Sequence, residues 1–268
     1  MIGPSSFWGV VPVMVRVENR KLFIGLLAAL VSLSWLGLWL WGESPHGRFL
    51  DHHQLSEITN QDASLLVFFV AGWTLMVFAM MLPTSLPLIA LFHTMTRRRS
   101  DHQWLLALLI TGYIGTWAWF GLAIHLADLA FHEIVELSPW LSDNAWAFGA
   151  GVLILAGVYQ FTPLKYHCLD KCRSPFSFIM EHWTGKDQLY QAFRLGLHHG
   201  VFCVGCCWSL MLLMFAVGTG NIGWMLVLGA LMAVEKNMPW GRRLSVPLGV
   251  VLLWWALALA VGNVPMLQ

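Results

Sequence analysis

Seven stretches of the sequence are long, almost uninterrupted apolar runs: about 22–41, 63–82 with an extension past Pro83, 104–128, 145–163, 190–217, 222–238 and 245–262. A transmembrane helix needs roughly 17 to 25 mostly apolar residues, and each stretch meets that length. The sequence therefore predicts an all-α fold, a polytopic membrane helix bundle with seven transmembrane helices. The sixth stretch follows the fifth after only Gly218, Thr219, Gly220 and Asn221 and ends at Glu235 and Lys236, so six spans is the alternative. Composition agrees, with 58% hydrophobic and 11% charged residues, against about 25% charged in soluble domains. Residues 1–268 read as a single integral-membrane helical domain with no tandem repeat or low-complexity segment.

Basic residues in short loops set orientation. Arg16, Arg20 and Lys21, then Arg97, Arg98 and Arg99, then Lys165, Lys171, Arg173 and Lys186, then Lys236, Arg242 and Arg243 all fall on one side of a seven-span chain. The opposite loops, GESPHGRFLDHHQLSEITNQD and HEIVELSPWLSDN, lean acidic. This places the N-terminus in the cytoplasm and the C-terminus outside. The apolar run after Lys21 is too long for a signal-peptide core and has no small-x-small cleavage site, so it reads as a retained first span. A net charge of +1, with no basic stripe, argues against nucleic acid as a partner.

All five cysteines lie between residues 168 and 207, and the odd number is a poor fit to a disulfide framework. Residues three and four apart share a helix face. In LHHGVFCVGCCWSLMLLMFAVG, His199, Cys203, Cys206 and Cys207 follow that spacing, and Met211 and Met214 continue the stripe. Such donors suit soft or borderline metals, with copper favoured and zinc also fitting, and an iron–sulfur cluster needs the same thiols. In PLKYHCLDKCRSP, Cys168 and Cys172 are four apart with His167 beside the first. Met76, Met80 and Met81 approach the same half of the bilayer just before Pro83, and Glu235 ends the sixth stretch. An ionisable group at membrane depth is a functional candidate.

The predicted metal ligands are Cys168, Cys172, Cys203, Cys206, Cys207, His199, His167, Met80, Met81, Met211 and Glu235. No catalytic residue and no organic-cofactor site is predicted. Cys207 lies roughly 12 Å along its helix from His199, so a single site using all five thiols requires the 164–173 loop to fold inward, and two sites are equally allowed. Cys206 and Cys207 point about 100° apart. Each residue type also has a plain structural use. Buried Cys and Met fill cores, Lys165 and Arg173 are expected to anchor at lipid headgroups, and His46, His52 and His53 are expected in a solvated loop rather than an external metal-capture patch. The segment PFSFIMEHW is a candidate interfacial helix.

The elements AMMLP, PLKYHCLDKCRSP, HGVFCVGCCWSLM and EK, in that order, resemble a bacterial family of unknown function described as predicted metal-binding integral membrane proteins. The resemblance covers about residues 60–240. It implies metal binding by Cys168, Cys172, Cys203, Cys206 and Cys207 and a place in the bacterial inner membrane. It implies no substrate or reaction.

The leading reading is a protein that handles a soft transition metal as transporter, acceptor or insertion factor, with the lipid bilayer around it and another membrane protein or a metallochaperone as candidate partner. Cys203, Cys206 and Cys207 are its core ligands, Cys168 and Cys172 its uptake ligands, and Glu235 receives protons from thiols that ionise on binding. One alternative is a thiol–disulfide oxidoreductase using Cys203 and Cys206. Another is an assembly subunit with packing cysteines. The sequence carries no G-x-S-x-G, P-loop, H-E-x-x-H or Rossmann pattern that would point to an enzyme.

Overall fold

The apolar stretches form helices, and prolines decide where several of them stop. A computed structural model describes residues 17–42, 63–136, 144–185, 187–217 and 222–263. His46, His52, His53 and Lys186 lie outside the described residues. Within them run α1 (Val17–Gly42), α2 (Ala63–Met80), α3 (Leu86–Thr96), α4 (His102–Glu136) and α5 (Ala145–Tyr159). The chain continues with α6 (Pro163–Arg173), α7 (Pro175–His182), α8 (Gln188–Val217), α9 (Ile222–Asn237) and α10 (Ser245–Asn263). Short 3-10 turns at Pro83–Ser85 and Gly241–Leu244 complete the path, and no strand occurs among the described residues.

Three segments are long and apolar enough to cross a membrane: His102–Asp128 in α4, Gln188–Met214 in α8, and Gly241–Gly262, which contains α10. Two bent pairs raise the number to five if each is one span. Phe69–Met80 and Pro83–Thr96 meet at 45°, and Trp146–Tyr159 and Pro163–Arg173 at 65°. Three to five helices thus meet the requirement, where the sequence predicts seven spans. The two stretches outside that number are α1, 26 residues long, and α9, whose 16 residues span about 24 Å at 1.5 Å per residue against roughly 30 Å of hydrocarbon.

Small residues fix the central crossing. The helix α8 carries Gly196 and Gly200 four apart, a spacing that lets helix backbones approach closely in lipid. A methyl group on Gly196 would run into the Leu109 carbonyl of α4, and one on Gly112 into the Phe193 carbonyl of α8. Thr116 Oγ1, on α4, lies 3.2 Å from the Leu197 carbonyl it donates to across the same seam. Around this seam α2, α4, α5, α6, α8, α9 and α10 bury Trp73, Met80, Met81, Trp117, Met211 and Met214 together with Cys168, Cys203, Cys206 and Cys207. The sulfur-bearing residues therefore sit in the main core.

The segment expected as a loop, 164–173, is helical, and a second helix follows it directly. Thr162 caps α6, its side chain accepting from the Lys165 amide at 3.3 Å, with Pro163 at the first helical position. Pro175 starts α7, so PFSFIMEHW is helical over all but its last residue. At the corner Lys171 Nζ reaches Glu181 Oε2 at 2.6 Å. That hydrogen bond holds the Glu181 carboxyl below the usual carboxylate range.

Candidate functional site

Breaking α2 ahead of Pro83 releases backbone groups that the core must satisfy. The Met81 carbonyl accepts from Thr84 Oγ1 at 2.7 Å and from the Tyr113 hydroxyl at 3.2 Å. The same hydroxyl lies 3.1 Å from Cys203 Sγ. Ser85, in the 3-10 turn, lies 3.2 Å from His199 Nε2. The break thus builds a polar face on the inside of the bundle, opposite α8.

A second buried polar group holds α6 inward. Lys165 is fully buried and its ammonium pairs with Glu235 at 2.8 and 3.0 Å while also donating to Gln160 Oε1. Glu235 in turn accepts from Ser245 Oγ at 2.7 Å. Arg173 donates to the Glu235 and Pro239 carbonyls, capping the end of α9. On the rim Arg242 pairs with Asp170 at 3.1 Å and lies over the Tyr166 ring. Lys165 is therefore not a headgroup anchor: its carboxylate partner lies 70 positions along the chain and the ammonium is buried. Arg173 is half-buried, its guanidinium on backbone carbonyls.

With α6 folded against α8, sulfurs from both helices meet. Cys172 Sγ lies 3.9 Å from Cys206 Sγ, and Cys206 Sγ lies 3.4 Å from Cys207 Sγ. Cys206 also lies 3.2 Å from the Cys203 carbonyl, the hydrogen-bond acceptor for its thiol. Cys168 Sγ sits over Gly205, where an added methyl would come within 2.6 Å of it. The glycine in CVGCC is thus the notch that lets α6 approach. Tyr159 braces the same spot by donating to the Gly205 carbonyl. All five cysteines are free thiols, four of them buried and Cys172 half-buried.

Other predicted ligands have different neighbours. Cys203 Sγ faces Tyr113 and the ammonium of Lys236, 2.9 Å away. His199 stacks on Tyr113 with ring centroids 5.6 Å apart and meets Phe178 edge-on, and its Nδ1 has no hydrogen-bond partner among the described residues. His167 is exposed, edge-on to Phe202. Met80, Met81 and Met211 are buried in the same core as the thiols. The Glu235 carboxylate is engaged by Lys165 and Ser245. Among the described residues, no group of three or more His, Cys, Asp or Glu is already arranged to hold a metal ion.

Residues that the sequence did not single out complete the arrangement: Tyr113, Thr84, Ser85 and Gln160. Lys236 reads from the sequence as a loop cation and as part of the EK element, not as a partner of a thiol. Tyr113 carries no sequence signal, lying 90 positions from the sulfur it touches.

A protein-family model, PpoB2, described as a copper chaperone, matches residues 70–259. No curated protein and no solved structure matches the chain. The matched residues run from α2 to α10 and contain every cysteine, the Pro83 break and both buried lysines. The match covers more than half of the chain, and the chain belongs to the PpoB2 family, described as a copper chaperone.

Proposed function

We propose that the chain is a membrane-embedded copper chaperone that receives Cu(I) on the thiols of Cys172, Cys206 and Cys207 and passes it to another protein. The observation that carries this reading is the position of Cys206 Sγ, 3.9 Å from Cys172 Sγ and 3.4 Å from Cys207 Sγ. Two sulfurs at such separations can both reach one metal at about 2.3 Å, the length of a zinc–thiolate bond. Soft thiolates in a core lined by Met80, Met81 and Met211 suit Cu(I) above harder ions. The family description favours copper over zinc. Cys168 lies one helical turn from Cys172 on α6, buried in the core against Gly205, and serves uptake. His199, His167 and Glu235 are not needed for the resting site, since each has other neighbours.

The orientation follows the basic loops, with the N-terminus in the cytoplasm of a bacterial inner membrane and the whole chain forming one helical unit; counting α1 and the short α9 as crossings, beside the three to five helices that meet the requirement, gives the seven spans of this reading. Outward-facing Trp104, Trp119 and Trp254, each more than two-thirds exposed, support contact with lipid. The partner that takes the metal is a membrane protein or a soluble metallochaperone. The test is anaerobic Cu(I) loading of the detergent-purified protein, followed by desalting and metal counting. About one copper per chain in the wild type and almost none after replacing all five cysteines by serine is expected. Equal copper in both would overturn the proposal.

A further inference from the structure

Lys236 is buried at the end of α9, and among the described residues its ammonium makes two hydrogen bonds, to Cys203 Sγ at 2.9 Å and Thr84 Oγ1 at 3.1 Å. A buried ammonium is costly unless its charge and its protons are met. The neighbouring carboxylate cannot meet them. Adjacent residues point about 100° apart on a helix, and Glu235 is taken by Lys165 and Ser245 on another side of α9. The groups that Lys236 touches from α8 and the Pro83 turn are Cys203 and Thr84, with Tyr113 of α4 and Cys206, Cys207 and His199 of α8 near enough to feel its charge. Among the cysteines, then, the sulfur of Cys203 is covered by a cation that the protein itself supplies.

We propose that Lys236 is a tethered cation that occupies the Cys203 sulfur when copper is absent and competes with Cu(I) for it, so that bound copper is released to an acceptor. The proposal rests on the copper-chaperone reading and assigns Lys236 a positioning role, acting through Cys203. When Cu(I) reaches Cys203, the N–H···S hydrogen bond breaks and a copper–sulfur bond forms. Copper leaves its previous thiolate, which takes up the proton that the Cys203 thiol gives up, and remains Cu(I); no electron moves, and the ammonium keeps its protons and rests on the Thr84 hydroxyl. The buried ammonium is then left with one hydrogen bond in place of two, and recovery of the lost one favours return. The exchange reverses when an acceptor thiolate takes the metal. A chaperone needs such a device, because a site offering every sulfur at once would hold copper too firmly to pass on.

The test compares release of Cu(I) from loaded wild type, Lys236→Met, Lys236→Arg and Thr84→Val to a chromophoric Cu(I) chelator, followed by absorbance. Lys236→Met fills the same space without charge and frees Cys203, so release is expected to slow by about tenfold or more, the scale of change seen when groups around metal ligands are altered. Lys236→Arg keeps the charge and is expected to release copper nearly as the wild type does. Thr84→Val removes the alternative resting place and is expected to speed release. Opposite signs for Lys236→Met and Thr84→Val do not arise from a general loosening of the fold. Release from Lys236→Met as fast as from wild type, with both fully loaded, would overturn the role of Lys236 alone. Failure of the wild type to load copper would overturn the chaperone reading and this inference with it.

Discussion

Replacing Cys206 by serine is expected to lower Cu(I) retention at least about a hundredfold, roughly 2.7 kcal/mol of binding free energy, with the fold intact. Cys206 is the thiol that touches two others, so its loss leaves Cys172 and Cys207 without a shared neighbour. Serine offers a hard oxygen in place of a soft sulfur. It also still reaches the Cys203 carbonyl that now lies 3.2 Å from the Cys206 sulfur, so the local hydrogen bond survives. Cys168→Ser should cost less, because that sulfur packs over Gly205 rather than against the Cys206 pair. Competition against a Cu(I) chelator of known affinity measures both. Copper held by the Cys206 variant as tightly as by the wild type would remove Cys206 from the site.

The second large effect concerns stability. Glu235→Ala leaves the fully buried Lys165 ammonium with only Gln160 and costs about 3 to 5 kcal/mol, the usual penalty for an orphaned buried charge. The double variant Lys165→Met/Glu235→Leu is expected to recover most of that loss, since a buried ion pair gains little over well-packed apolar groups. Thermal unfolding in detergent, followed by circular dichroism, checks the pair. Because Lys165 and Cys172 share α6, the single variant should also loosen the approach of Cys172 to Cys206 and reduce copper loading. A double variant as unstable as the single one would mean that the pair does more than neutralise Lys165.

Those two results separate what can be read from the chain from what cannot. The apolar lengths, the breaks at Pro83 and Pro163 and the shared face of Cys203 and Cys206 follow from composition and helical period alone. The inward fold of α6 does not. PLKYHCLDKCR is polar and basic, and Lys165 looks like a headgroup anchor until Glu235, 70 positions later, is known to face it. The same limit governs Glu235 and Lys236. They are neighbours at a helix end, and the phase of α9, fixed by packing against distant helices, decides which one meets a thiol. Pairing Lys236 with Cys203 needs two helices and the Pro83 turn in register, information spread over about 150 residues.

The most direct measurement is copper K-edge X-ray absorption on the Cu(I)-loaded protein in detergent, for wild type and for Cys206→Ser. A first shell of sulfur only, absent or depleted in the variant, is the expected result. A shell of nitrogen or oxygen, unchanged by removing Cys206, would contradict the assignment of copper to these thiols.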